Sequence, residues 1–318
     1  MAKILFIPKC REVLEQMKNR AVLTADGYYY RNSTLRAKES FLNSLEKYFK
    51  TLDSEVSFDD LNFNFTENYR MFLLQSNYAK NTIAEKMSGL RFWIRYFHKY
   101  ELISYSGAGI RASMEITTAV ITSVDELKYL YKMDLPPGQR KVIDIYICQC
   151  FLGLRISDMF RFLKQVKQML KIIEEKHFFE IKTQKTGSVV VIPASKVVLQ
   201  ILQKYEYDFG DEFSEAYYNM TLKKIISKSK LERNVLFHRT EGGEKIERVK
   251  KFSDLISSHT ARRTFASNAY LMGIDPLDVM KITGHKSYNS FFKYIRCENL
   301  AVALRVSTHE FFNIDFNA

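Results

Sequence analysis

A mainly α-helical protein with one small β-hairpin, divided into two domains, is what this sequence predicts. Three observations point there. At ~150 residues per domain, 318 residues correspond to about two domains. Only five prolines and twelve glycines interrupt the chain, which favours helix. Apolar residues recur at spacings of three and four over long stretches. A hydrophobic content of 46% fills one or two cores and excludes a disordered chain.

Residues 1–32 read as an irregular N-terminal extension, with a turn at Thr24 to Gly27 and an aromatic run Tyr28, Tyr29, Tyr30. Residues 33–103 read as a helical bundle. Its first helix follows a Ser33-Thr34 cap and carries Phe41, Leu45, Tyr48, Phe49 and Leu52. A second follows Thr66 with Tyr69, Phe72 and Leu73. The third, behind Asn81 as its cap, places Ile83, Met87, Leu90, Ile94 and Phe97 on one stripe. Residues 104–116 form a linker, because Ser104 to Ser113 holds two glycines, three serines and little apolar pattern.

The second domain spans 117–299. Ser123 and Glu126 make a capping-box pattern before a helix. A helix after Pro137, apolar from Val142 to Leu152, is central. Phe162 to Glu175 reads as mostly helical. His177 to Thr183 and Ser188 to Ile192 flank Gln184-Lys185-Thr186-Gly187, the strong strand signal, a β-hairpin with glycine at its turn. The remainder is helical, with one helix opened by Asp275-Pro276 and closed by Gly284. The tail, 300–318, keeps an apolar pattern (Val302, Leu304, Val306, Phe311, Phe312) that a free terminus does not need, which predicts docking on a neighbouring protomer.

Charge narrows the function. There are 48 Lys and Arg against 36 Asp and Glu, a net charge of +12 and a pI near 9.3. Both halves share the excess, and nucleic acid is the leading anionic partner. No stretch approaches the ~18 apolar residues of a membrane helix, and the N-terminus lacks a signal-peptide pattern. The four cysteines, Cys10, Cys148, Cys150 and Cys297, show no metal-ligand spacing, so no zinc site or disulfide framework is expected and a reducing cytosol fits. Neither GxGxxG nor GxxxxGK[ST] occurs. No metal and no cofactor are expected.

Four fragments stand out in order: Gly153-Leu154-Arg155 with Asp158, the hairpin Lys185-Thr186-Gly187, His259-Thr260-Ala261-Arg262, and Thr283-Gly284-His285 followed nine residues later by Tyr294. Alone, each is commonplace: a helix end, a turn, a solvated pair on one helix face, one tyrosine among nineteen. Together, over residues 120–298, they resemble the tyrosine recombinase (lambda-integrase-like) family. Arg155 matches the first arginine of its GLRxS-type motif, Lys185 the hairpin lysine, His259 and Arg262 the HxxR box, His285 the second histidine and Tyr294 the nucleophile. The bundle is similar to the family's core-binding domain, though less specifically. Two departures stand out: the family often has a short Trp-containing turn within Phe162 to Glu175, and often Glu where this chain has Asp158. The 32 residues before the bundle are short for an additional arm-binding domain.

The chemistry explains the residue types. A phosphodiester attacked by an oxygen nucleophile forms a highly negative pentavalent transition state, which needs fixed cations and donors. Planar arginine forks grip two phosphate oxygens, the role of Arg155 and Arg262. His285 would donate to a non-bridging oxygen, and His259 would donate or help accept the tyrosine proton. Tyr294 would conserve the bond energy as a 3′-phosphotyrosyl ester, so rejoining needs no ATP. Lys185, on a mobile hairpin, would protonate the leaving 5′ oxygen. Asp158 is an accessory candidate that could orient an arginine.

The resemblance implies a site-specific DNA recombinase of the integrase type, free of metal and nucleotide. Its partners would be double-stranded recombination sites and other copies of itself: a tetramer on two sites, a monomer or dimer when free. It would be cytoplasmic and nucleoid-associated, with the two domains on opposite faces of the duplex. Phosphate contacts are expected from Lys80, Lys86, Arg91 and Arg95 in the bundle and from Arg111 and Lys141 beyond it. The alternatives are a type IB topoisomerase-like strand-passing enzyme and a non-catalytic DNA-binding protein of the same fold. Binding alone gives Tyr294 no purpose. An RNA-binding helical protein lacks the expected aromatic motif.

Overall fold

The structure, a computed structural model, describes residues 4–52, 54–210, 214–292, 294–295 and 299–307. Contacts divide the chain into two compact units: residues 1–117 with 238–248, and residues 118–237 with 249–318.

The first unit is built on α1 (Phe6–Lys18), α2 (Asn32–Phe49), α3 (Phe63–Gln75) and α4 (Lys80–Lys99). Helix α1 corrects the expectation of an irregular extension. Phe6, Ile7, Cys10, Val13, Leu14 and Met17 form a buried stripe that packs on α2. Leu5, at the N-cap, offers no side-chain bond, so no start signal announces this helix. Helix α4 is the axis: Ile83, Met87, Leu90, Trp93, Ile94 and Phe97 are all buried. Gly89 lets α2 come close, since a Cβ there would lie 2.5 Å from the Phe41 ring. Three helix starts differ from expectation. Helix α3 starts earlier, where the Asn62 side chain accepts from the Phe65 amide. Asn81 does not cap α4; its side chain makes two bonds to the Glu115 backbone. Helix α2 begins at Asn32, before the Ser33-Thr34 pair. Ile103 and Ile110, within or beside the expected linker, are buried in this core.

The second unit opens with α5 (Val124–Lys132), whose Ser123–Glu126 capping box is present, and α6 (Pro137–Leu152). As predicted, α6 is central: residues Val142 to Cys150 are all buried, against α12 and α10 described below. Its two polar residues are satisfied. Asp144 bonds Arg140, Lys204 and Tyr205, and Gln149 bridges the Leu154 carbonyl and the Tyr218 hydroxyl. Then follow α7 (Ile156–Lys164), α8 (Val166–Met169) and an antiparallel sheet of β1 (Leu170–Ile173), β2 (Lys176–Lys182) and β3 (Val189–Pro193), in that order. Strand β1 corrects the helical reading of Phe162 to Glu175. Glu174 and Glu175 both have positive φ, the two-residue hairpin geometry that pairs Ile173 with Lys176. In β2 and β3, Phe179, Ile181, Val190 and Ile192 alternate into the core.

Helices α9 (Lys196–Lys204) and α10 (Glu215–Ser227) precede a second correction, the hairpin β4 (Asn234–Glu241) and β5 (Glu244–Lys251), in a stretch read as helical. Its tip, 238–248, groups with the first unit: Thr240 binds the Glu115 carboxylate through amide and hydroxyl, and the Gly242 amide donates to the Tyr78 carbonyl. Helices α11 (Phe252–Leu255), α12 (Ser258–Leu271), α13 (Pro276–Thr283), α14 (Tyr288–Phe292) and α15 (Asn299–Val306) complete the second unit. Helix α15 packs on α12, with Arg305 donating to the Tyr270 hydroxyl at 3.3 Å, and Leu304 stays exposed. Phe311 and Phe312, part of the expected docking pattern, lie outside the described residues. No helix among the described residues is long and apolar enough to cross a membrane.

Candidate active site

The site grows from the ends of three helices. Helix α6 stops at Gly153, which is left-handed (φ 63°) and so close to α12 that a Cβ would lie 2.5 Å from the Phe265 ring. Two residues later Arg155 stands at the N-cap of α7. Helix α13 opens at Asp275, whose carboxylate caps the Leu277 amide, and closes at left-handed Gly284, setting His285 just beyond. Helix α12 carries His259 in its first turn and Arg262 one turn on.

Arg262 joins these ends. It is 1% exposed. Its Nη1 donates to the Gly153 carbonyl and its Nη2 to the Thr283 carbonyl, both at 2.6 Å. Nη2 also lies 3.4 Å from His285 Nε2. One guanidinium therefore holds the C-terminal ends of α6 and α13, where helix dipoles place negative charge. Burial, then the nearby Arg155, push its pKa down from the ordinary arginine value.

Tyr294 completes the cluster. Its ring centre is 4.9 Å from that of His285 and 5.5 Å from the Arg262 guanidinium carbon. Its amide donates to the Phe291 carbonyl at 2.7 Å, and Phe291 is buried behind the His285 ring. Burial, Arg262 and Arg155 lower the His285 pKa to about 3, so its ring is neutral at physiological pH. His259 is exposed at the start of α12, and its pKa is also lowered, first by desolvation and then by Arg263. Arg155 and Arg262 thus act electrostatically on both His259 and His285. Arg155 Nη1 and Arg262 Nε are buried without a hydrogen-bond partner, two donors left for a ligand.

Lys185 sits on the exposed turn between β2 and β3. The base of that turn is fixed. The Gln184 amide donates to Asp158 Oδ1 at 2.8 Å, Arg161 donates to the Lys182 carbonyl, and the Thr183 and Ser188 backbones pair. Asp158 is 1% exposed in the first turn of α7, three residues from Arg155. Its bonds run to Gln184 and Arg161, so it ties the hairpin to α7 rather than orienting Arg155. The hairpin also abuts the turn before His285: a Cβ on Gly284 would lie 3.3 Å from Val190.

Sequence reasoning missed two residues here. Thr283 bonds the His285 ring, and its position directly before Gly284-His285 was the available signal. Arg263 is half-buried, and Tyr294 acts electrostatically on it. Among the described residues no group of three or more His, Cys, Asp or Glu could hold a metal ion.

The expected phosphate contacts separate. Lys80 and Arg111 line one cavity of the first unit together with Arg70. Lys86 lines another with Arg36 and Lys47 between α2 and α4. Arg95 is exposed on α4. Arg91 donates to the Ile110 carbonyl at 3.3 Å, which engages it in holding the chain after α4. Lys141 is half-buried on α6 in the second unit. Arg36, Lys47 and Arg70 were not anticipated.

Comparison with known proteins places these features. A model described as the phage integrase SAM-like domain matches residues 5–107, and one described as the phage integrase family matches residues 146–299. The tyrosine recombinase XerC of Natranaerobius thermophilus is 22% identical over 286 residues, covering 86% of this chain and 88% of that protein. Among solved structures, the XerH site-specific recombinase in a post-cleavage complex with a palindromic difH substrate matches with a TM-score of 0.64 at 14% identity, over 96% of this chain and 85% of its own. A lambda integrase dimer bound to a COC′ core site matches with a TM-score of 0.61 at 15% identity, over 90% of this chain and 95% of its own. These two structural likenesses establish the fold.

Proposed function

Because the chain belongs to the phage integrase family, the tyrosine recombinases, and is a site-specific DNA recombinase, we propose that its six motif residues form one strand-exchange site with Tyr294 as nucleophile. The observation that carries this reading is the junction at Arg262. One buried guanidinium joins the GLR turn, the HxxR helix and the Gly-His turn, beside the Tyr294 ring. The scissile phosphate binds the unpartnered nitrogens of Arg155 and Arg262. Tyr294 Oη attacks phosphorus and forms the 3′-phosphotyrosyl ester. The 5′ oxygen leaves with a proton from Lys185, whose turn is anchored through Asp158. His259 and His285 share the tyrosine proton and the hydrogen bonds to non-bridging oxygens.

The DNA is double-stranded, and basic residues of both units meet its phosphates. In the first unit Arg36, Lys47 and Lys86 offer one such surface and Arg70, Lys80 and Arg111 another. Losing about six to ten phosphate contacts' worth of counterion release should lower affinity ~10³-fold or more between 50 and 200 mM salt; a flat dependence contradicts these surfaces. Strand exchange proceeds in a tetramer on two sites, assembled from monomers or dimers, with the tail after Cys297 reaching a neighbouring protomer. Truncation after Cys297 is then expected to remove synapsis and leave single-site binding, and synapsis also separates this reading from a topoisomerase-like one. The protein works in the cytoplasm, at the nucleoid.

The direct test is a nicked suicide substrate containing the cognate site. A covalent protein–DNA band on a denaturing gel is expected from the native chain and not from Tyr294→Phe.

A further inference from the structure

Arg262 gathers the C-terminal ends of two helices. A carboxylate stands where two N-terminal ends meet. Helix α10 opens behind Ser214, whose hydroxyl accepts from the Tyr217 amide at 3.1 Å, and Glu215 is in its first turn. Helix α12 packs on α10 and opens with Ser258, whose hydroxyl donates to Glu215 Oε1 at 3.0 Å. The first amides of a helix have no partner within it, and the helix dipole favours negative charge there. Glu215 therefore lies at the positive ends of both helices.

The start of α12 is satisfied from α10. Ser258 is buried, and its amide donates to Asn219 Oδ1 at 2.8 Å. Glu215 and Asn219 are four residues apart, on one face of α10. Just before, the Ser257 amide donates to the Thr260 hydroxyl at 3.0 Å. Both bonds from α10 thus converge on the residue before His259, in the turn that leads on to Arg262. Helix α10 fixes where that turn begins.

Charge gives Glu215 a second part. Desolvation first, then Arg263, with Arg262 and Arg155 behind, lower the His259 pKa, and Glu215 opposes them more strongly than Arg262 or Arg155 acts. Arg262 and Arg263 share the helix of His259, Arg155 stands at the N-cap of α7, and Glu215 comes from α10. Glu215 is the one carboxylate among the described residues that acts on this ring. We propose that Glu215 is a positioning residue for strand cleavage: it holds the first turn of α12 through Ser258 and keeps one negative charge at the turn that carries His259, against three arginines. This rests on the recombinase reading above.

One carboxylate suits both parts. A histidine among cations is a weak base and is seldom present as imidazolium. An anion fixed at the positive end of α12 opposes both deficits: the ring takes up a proton more readily and keeps the charged, donating form for longer. Its bond to Ser258 holds that anion at a constant place, so its effect on the ring does not vary with side-chain rotation.

The test separates charge from hold. Glu215→Gln keeps an acceptor for Ser258 and loses the charge, and Glu215→Ala loses both. In ¹⁵N-labelled full-length protein, the His259 pKa read from ring shifts should be lower in Glu215→Gln than in the native chain. Single-turnover adduct formation on the suicide substrate at pH 7 should fall about 10-fold in Glu215→Gln and about 100-fold in Glu215→Ala, with site affinity retained in both. The limb of the pH–rate profile set by His259 should move to lower pH in Glu215→Gln. An unchanged His259 pKa in that variant overturns the proposal, whatever the rate does, and so does a Glu215→Gln rate equal to that of the native chain. Equal rates for the two variants overturn the holding part. Failure of the underlying recombinase reading looks different: the native chain then forms no adduct at all, while the His259 pKa still falls in Glu215→Gln.

Discussion

Arg262 and Lys185, the two ends of the proposed site, are held in opposite ways. Arg262 is sunk to 1% exposure, with two of its nitrogens fixed on the carbonyls of Gly153 and Thr283. Lys185 stands on an exposed turn fixed at its base by Asp158 and Arg161. Stabilising developing charge calls for a preorganised, water-excluded cation. Delivering a proton calls for a group that can approach the leaving oxygen and exchange its proton with solvent. In the proposed mechanism, burial follows chemical role. Arg262, proposed to oppose charge, is buried, and Lys185, proposed to give a proton to the departing strand, is exposed on a tethered loop.

The contrast can be broken by substitution. Tyr294→Phe removes the attacking oxygen and is expected to abolish the covalent adduct while leaving DNA affinity unchanged, by gel shift and denaturing gel in parallel. Arg155→Ala should lower adduct formation about 10³-fold, at the upper end for loss of a charge-stabilising donor. Because phosphate charge persists whatever group leaves, a substrate with sulfur at the 5′ bridging position should not rescue it. Lys185→Ala should slow cleavage of the ordinary substrate by about 10²–10⁴-fold, the usual worth of a general acid. The 5′-thio substrate, whose thiolate leaves unprotonated, should restore it. Equal rescue of the lysine and arginine variants would erase the distinction between the two ends.

Smaller effects sharpen it. Asp158→Ala frees the turn of Lys185, so a loss on the order of 10-fold is expected, largely recovered on the 5′-thio substrate. An unrecovered loss would assign Asp158 to the arginines instead. His285 makes a pH prediction. Its folded pKa, about 3, lies below the ~6.5 of an unfolded histidine. Between those values the unfolded chain binds a proton that the folded chain does not. The stability from this ring is complete above pH ~6.5 and is lost as pH falls toward 3, by about 1.4 kcal/mol per pH unit. From pH 7 to 5 the native chain should lose more stability than His285→Gln in urea titrations, by up to about 2 kcal/mol less what solvent screening of this half-buried ring removes. An equal loss in both would mean that the ring is not buried as described.

Where the sequence was readable, local backbone chemistry and tertiary role coincide. Gly153 and Gly284 end helices in the left-handed region and also hold the site's arginine and histidine turns, so the motif residues were found with the helix ends. The Ser123–Glu126 box and the Lys185 hairpin announced themselves in the same way. Helix α1 has an apolar stripe but no capping side chain, and tertiary burial, not propensity, supports it. Strand β1 is four residues long and follows directly on α8, too little chain for a period of two to appear. Hairpin β4–β5 is rich in charge and its exposed strands lack an apolar alternation; only Gly242-Gly243 marked the turn. Asn81 had the chemistry of a cap but bonds the Glu115 backbone, a partner that no local pattern names. Thr283 was passed over for the same reason, since its bond to His285 depends on the left-handed turn between them.

Whether these buried and exposed parts serve one nucleophile can be read by trapping the adduct on a nicked cognate substrate in excess EDTA, digesting it, and locating the nucleotide by mass spectrometry. The expected result is a 3′-phosphotyrosyl link on Tyr294, formed without added metal or ATP. A link on another residue, such as the neighbouring Tyr288, or an adduct that appears only when magnesium is restored, would contradict the account.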